Sequence, residues 1–248
     1  MINVAFALKS RLQKFLMAYF QTTQAASIGD KVLYGSPALV KYFDVILINL
    51  TKPKVGILPV GSSSTIYNRI TEVDKDAGTI RLQTPLEVAV PTNSIVKRTP
   101  GWQDIQDIFI GEVEIVNLRP AIEIIPMSES STWITLQKGE SASYNFKINM
   151  YVEDDKAETS TINCLSAAQD LKDLLISDLR LSLPSEPGSM RKVYNSLPSN
   201  IDYGFIQKGT SILKAASVNW EAESYLMRRV IDIEQGFDHF DYYPGDPY

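Results

Sequence analysis

Ala142-Ser143-Tyr144-Asn145-Phe146-Lys147-Ile148-Asn149-Met150-Tyr151-Val152 is the stretch whose reading decides the fold. Ala142, Tyr144, Phe146, Ile148, Met150 and Val152 alternate with Ser143, Asn145, Lys147, Asn149 and Tyr151. Successive side chains of a strand point to opposite faces, so this alternation predicts a strand with one packed face and one wet face. A one-faced strand belongs to an antiparallel sheet covered on one side.

Its neighbours extend that sheet. Residues 121–127 and 132–137 read as two preceding strands, with Lys138-Gly139-Glu140 as the hairpin turn before 142–152. After it come Glu153-Asp154-Asp155 and then a helix over about 158–181, for which Thr159 or Ser160 suits the N-terminus. Ile162, Leu165, Ala168, Leu171, Leu175 and Leu179 form the stripe expected to lie on the sheet. Residues 184–200 are rich in Pro, Ser and Asn and read as a long loop. Residues 216–222 alternate again, and 228–233 form the last strand.

Upstream, Val4, Leu8, Leu12, Phe15 and Tyr19, widened by Leu16 and Phe20, predict an amphipathic helix over about residues 2–20. The pattern then changes. From Ile28 to about Arg98 short strands alternate with turn residues, at 31–34, 45–50, 66–73, 79–84 and 94–97. Asp74, Asp76 and Gly78 mark the clearest hairpin, with Gly78 supplying the positive φ of its loop.

The expected fold is therefore α+β: an antiparallel sheet packed by two helices, interrupted by a small SH3-like β-barrel. Residues 1–27 and 99–235 would form the α+β domain, 28–98 the inserted barrel, and 236–248 an extended C-terminal arm.

Composition narrows the function. The 248 residues are 44% hydrophobic and 21% charged, as in ordinary globular proteins. The net charge is −5, and Lys52-Pro53-Lys54 and Met227-Arg228-Arg229 are too short to give the basic stripe of a nucleic-acid binder. No sequence-specific nucleic-acid partner is expected. The longest apolar stretch, 39–50, contains Lys41 and Asp44 and is too short to span a bilayer, and no targeting segment is read.

Catalysis is poorly supplied. The single histidine, His239, falls in the arm, and the single cysteine, Cys164, falls near the apolar face of a helix with no histidine placed to activate it. Glu153-Asp154-Asp155 lacks the glycine and distal glutamate of a calcium loop. Gly61-Ser62-Ser63-Ser64 lacks the strand, lysine and helix of a phosphate loop. The chain reads as non-enzymatic, with no catalytic residue, cofactor or metal.

Interaction is better supplied. Phe237, Phe240, Tyr242 and Tyr243 sit in an acidic segment with little prospect of burial in its own core, and aromatics carry much interface energy. These residues, with Arg228 and Arg229 before them, are the candidate docking residues; the alternative reading is that the arm folds back over its own domain. The edges of a one-faced sheet also need covering, which pairing with identical copies would achieve.

The stretch from Arg119 to Glu234 resembles the tail terminator (tail completion) and neck proteins of tailed bacteriophages. The resemblance rests on Pro120-Ala121-Ile122-Glu123-Ile124-Ile125-Pro126, on the alternating strand ending Asn149-Met150-Tyr151-Val152-Glu153, on the helix from Glu158, and on the closing strand pair over 216–234. Ala7, Leu8 and Arg11-Leu12 look like the family's opening helix. Residues 70–74 and 78–86 are similar to small β domains of phage structural proteins. Compact members of the family lack such an insertion. The resemblance implies a virion protein made in the host cytoplasm. It would form a homohexameric ring that caps the tail tube and meets the head connector or neck proteins. The inserted barrel would project outward, within reach of a contractile tail sheath. The alternative it leaves is another neck, head-completion or baseplate component acting as a binding module.

Overall fold

A computed structural model describes residues 2–44, 53–134, 139–152, 157–177 and 191–227. The architecture is α+β, with mostly antiparallel strands and few helices. Its chain order is α1 (Ile2–Leu16), β1 (Tyr19–Gln21), β2 (Val32–Tyr34), the short α2 (Pro37–Val40), β3 (Lys54–Leu58), β4 (Ile66–Asp74), β5 (Thr79–Leu82) and β6 (Ile95–Arg98). After a 3-10 turn at Pro100–Trp102 come β7 (Asp107–Ile110), β8 (Ala121–Ile134), β9 (Gly139–Tyr151), α3 (Ala157–Ser177), β10 (Arg191–Lys208) and β11 (Ser211–Met227).

The deciding stretch is the middle strand, β9, of a five-stranded sheet ordered β10-β11-β9-β8-β7. All its pairings are antiparallel except β7 with β8. Tyr144, Phe146, Ile148 and Met150 point to one face and meet α1 through Leu8 and Leu12 and α3 through Leu171 and Leu174. The Phe146 and Trp220 rings lie 5.5 Å apart in that layer. Each such side chain contributes about 1.5–3 kcal/mol by burial, which is why the alternation dictates the face.

The other face is less wet than the alternation predicts. Asn149, Tyr151 and Ser217 are buried there, because residues 113–116 and the end of the β10–β11 hairpin lie over that part of the sheet. Residues 121–127 and 132–137 are not two strands. Residues 121–127 and 132–134 belong to the single strand β8, which runs through to Ile134 with a bulge between Pro126 and Ser128 that leaves Met127 60% exposed, and 135–137 lie outside the described residues. Residues 191–200, read as loop, are strand. β10 is an edge strand, where Pro198 removes no needed hydrogen bond. Gly139 and Glu140, read as part of the hairpin turn, are the first residues of β9, whereas Lys138, the predicted strand 228–233 and Glu153-Asp154-Asp155 lie outside the described residues.

Helix α3 buries Ala168, Leu171 and Leu175 of its predicted stripe but turns Ile162 and Leu165 outward, and Leu179 lies outside the described residues. Cys164, Ala167, Ala168, Leu171, Leu174 and Leu175 are buried, whereas Ile162 is 54% and Leu165 44% exposed. The reason lies at Gly101, where a Cβ would stand 2.5 Å from the Asn163 carbonyl oxygen and 2.6 Å from Ala167 Cβ. This contact demands small residues on α3, so part of the buried face is not its most apolar part.

Residues 19–98 supply a second, six-stranded antiparallel sheet ordered β1-β6-β3-β4-β5-β2. The Thr23 N–H donates to the Tyr34 carbonyl at 2.8 Å, tying the two end strands together. Leu33, Phe43, Ile57, Ile80 and Val96 pack inside it. Helix α1 stops at Leu16, and Tyr19-Phe20-Gln21 is a strand whose Phe20 lies 5.1 Å from Phe43. In the sequence Phe20 is also four residues after Leu16, so helical and strand spacing coincide there. The hairpin at Asp74 is as expected: its Oδ1 accepts from Asp76 N–H at 3.0 Å and Ala77 N–H at 2.9 Å, and Gly78 has φ 66°. Strand β3 was hidden behind Lys52-Pro53-Lys54 and Gly56. The predicted strand 45–50 lies outside the described residues.

Candidate interaction surfaces

The five-stranded sheet leaves two edges unpaired among the described residues. β10, 18 residues long, pairs only with β11. On the far side β7 covers β8 at Ala121–Ile124 alone, so from Ile125 onward β8 pairs only with β9. Three successive antiparallel pairings make β10 run opposite to β8. The open half of β8 lies level with the first half of β10, since both are joined through β9 residues 139–146 and β11 residues 220–227. Leu197, Tyr203 and Phe205 on β10 are exposed, with Lys214 Nζ 5.5 Å from the Phe205 ring centre.

A second surface lies where the two sheets meet. On the outer face of the smaller sheet, Lys54 pairs across with Arg69, and Gly56 with Tyr67 on one side and Lys97 on the other. The bare Gly56 leaves room for the Thr65 and Thr99 methyls, whose Cγ2 atoms would stand 2.9 and 3.0 Å from a Cβ there. Trp102 lies on this row. Lys54 Nζ is 5.5 Å and Arg69 Cζ 5.3 Å from its ring centre, and the Tyr67 ring meets it edge-on at 6.2 Å. Such contacts are favourable because the ring face is negative. Lys54 is neutralised by Asp170 of α3, with Nζ 2.8 Å from Oδ2, and Lys97 by Asp104 at 3.0 Å. Arg69 has no carboxylate partner among the described residues. Tyr67 is half exposed, its hydroxyl pushed up by partial burial and the nearby Asp104 charge. Beneath, burial pulls the Arg98 guanidinium down to about 10, with Asp170 working against it.

The third feature is a buried polar network. Glu123, fully buried on β8, accepts from Lys208 Nζ at 2.8 Å and Val113 N–H at 3.1 Å on Oε1. On Oε2 it accepts from Asn149 Nδ2 at 2.9 Å and from the Tyr151 hydroxyl. Asn149 Oδ1 accepts from Ser217 Oγ at 2.7 Å. Burial pushes the Glu123 carboxyl up, but these four donors outweigh it and hold it below its ordinary value. Burial, then the Glu123 contact, pushes the Tyr151 phenol well above its usual range. Four donors fill the acceptor sites of the carboxylate, so it has none left for a substrate. Beside it is an open cleft of about 290 Å³ lined by Glu112, Val113, Glu114, Gln207, Lys208 and Gly209. The network fastens the end of the β10–β11 hairpin and the segment before β8 to the sheet.

The candidate docking residues Arg228, Arg229, Phe237, Phe240, Tyr242 and Tyr243, with His239, lie outside the described residues. Cys164 is buried, and burial pushes its thiol up. Among the described residues no three His, Cys, Asp or Glu side chains are placed to hold a metal, and no helix is long and apolar enough to cross a membrane. Sequence reasoning missed Lys54, Tyr67, Arg69, Trp102 and Asp170. The alternation of Tyr67, Arg69 and Thr71 in a strand was the one local signal for them. No protein-family model matches the chain, and no curated protein matches it in sequence.

Proposed function

We propose that this chain is a structural subunit that closes into a ring with copies of itself, in the manner of the tail terminator and neck proteins of tailed bacteriophages. The observation that carries the reading is the pair of open, antiparallel, level edges on the five-stranded sheet. Copies placed side by side in one orientation would bring the first half of β10 against the open half of β8. Such head-to-tail contacts close into rings when the rotation fits, and they remove the exposed edges. In this reading the five-stranded unit with α1 and α3 is the terminator-like domain. The six-stranded unit is an inserted SH3-like barrel facing outward, and the ring caps a tail tube and meets a connector. Its action is steric and interfacial rather than catalytic.

Native mass across a concentration range, with negative-stain images of any large species, tests ring formation. Closed rings support the reading; a monomer at every concentration, and no ring on isolated tails, overturns it. The binding-module alternative is favoured by the Tyr67–Trp102–Arg69 surface. Antibody labelling of virions separates the two, since baseplate labelling excludes a terminator.

A further inference from the structure

The outer face of the smaller sheet presents an aromatic shelf with an uncommitted cation. Tyr67 is half exposed, Trp102 stands edge-on to it, and Arg69 touches Trp102 without a carboxylate partner among the described residues. The other two cations of the row are spoken for by Asp170 and Asp104. A planar guanidinium next to the exposed Tyr67 ring and the partly exposed Trp102 ring fits a ligand that offers both a carboxylate and an aromatic face.

We propose that this shelf docks residues 236–248 of the chain. Gly236-Phe237-Asp238-His239-Phe240-Asp241-Tyr242-Tyr243-Pro244-Gly245-Asp246-Pro247-Tyr248 contains three aspartates, five aromatics of the Phe and Tyr type, and neither lysine nor arginine. Its chemistry complements the shelf, and its place in the chain fits the distance. The shelf abuts α3 at Asn163 and Ala167 through Gly101, and the next residue of α3, Cys164, packs with Ala216 near the start of β11. β11 then carries the chain from Ala216 to Met227, and eleven strand residues span about 36 Å. A return needs about ten or eleven extended residues, which places the first residue able to reach the shelf at about 237–238. That is where the aromatic and acidic run begins. The inference deepens the interaction role proposed for Phe237, Phe240, Tyr242 and Tyr243 by naming their receptor.

The test is photo-crosslinking in the full-length protein carrying Phe240→p-benzoylphenylalanine, with products mapped by mass spectrometry at a concentration where the chain is monomeric. Crosslinks to residues 65–69 or 100–104 are expected. Arg69→Glu should reduce them at least fivefold, and Arg69→Lys should restore most of the yield, with circular dichroism unchanged in both. Mixing heavy and light isotope-labelled chains tells crosslinks within a chain from those between copies. Crosslinks within a chain are expected; crosslinks only between copies would overturn docking of the chain's own segment. Crosslinks confined to other surfaces, or a yield indifferent to Arg69→Glu and Tyr67→Ala, would overturn the proposal. Because the readout is made on monomers, it stands apart from ring formation.

Discussion

Lys54 Nζ lies 2.8 Å from Asp170 Oδ2, joining the central region of the smaller sheet to helix α3 across 116 positions of sequence. The Gly101 N–H donates to the same oxygen at 3.0 Å, so one carboxylate holds a strand and a turn at once. Both charged groups are largely shielded from water, where a pair is specific but breaking it is costly.

Lys54→Met should therefore destabilise the protein by about 3–5 kcal/mol, since Asp170 is left without its ammonium partner. The double variant Lys54→Met with Asp170→Asn should recover part of that loss, because the unpaired charge is gone while an amide oxygen still accepts the Gly101 N–H. Chemical denaturation of the single and double variants measures both quantities. Equal stability of wild type and Lys54→Met would show that the pair holds nothing.

Gly101→Ala tests the same joint by geometry. Gly101 has φ 61°, a conformation costing about 1–2 kcal/mol for a residue with a Cβ. The added methyl would also meet the Asn163 carbonyl at 2.5 Å, which is backbone and gives way poorly. The melting temperature should fall by more than it does for Gly61→Ala, where φ is also positive but the space is open.

The Glu123 network predicts a pH dependence. The folded carboxyl titrates below its unfolded value of about 4.3. Its stabilising contribution is complete above that value and is lost as pH falls through the lower folded one. Glu123→Gln should cost about 3–5 kcal/mol at pH 7, leaving the Lys208 ammonium buried without its partner. The gap between wild type and variant should narrow in acid. Urea unfolding at pH 7 and at about pH 3 measures it, and a constant gap would mean that the charge of Glu123 is irrelevant.

Leu197→Lys addresses assembly. Leu197 is exposed on the half of β10 that faces the open edge of β8 in the proposed ring. Exposed substitutions of this kind change monomer stability by about 0.5 kcal/mol or less. Light scattering after size exclusion should show the large species lost while the monomer melts as before. Rings that persist in this variant would place the contact elsewhere.

The sequence disclosed what is local and periodic. The alternation over 142–152 placed β9 and its buried face, and Asp74, Asp76 and Gly78 placed a turn that forms as read. It misled where two signals overlap or where a contact is distant. Phe20 satisfies helical and strand spacing alike, and tertiary pairing with β6 chose the strand. Pro184 to Asn200 looked like loop because Pro, Ser and Asn dominate, yet an edge strand tolerates them from Arg191 on. The α3 stripe was misjudged because Gly101 requires small neighbours, a demand made from 62–66 residues away. The shelf and the Glu123 network are assembled from residues scattered along the chain, so no window of sequence displays them.

Only Met17 and Ala18 separate α1 from β1, and the Ala18 carbonyl accepts the Arg98 N–H at 2.9 Å where the chain leaves again. Entry and exit of the smaller unit thus run side by side, stitched together and backed by the turn that Asp170 grips. A unit hung on a single strand would swivel. This one is mounted like a handle with two bolts and a brace, so a load applied to it is passed into α3 and the large sheet instead of being absorbed at a hinge.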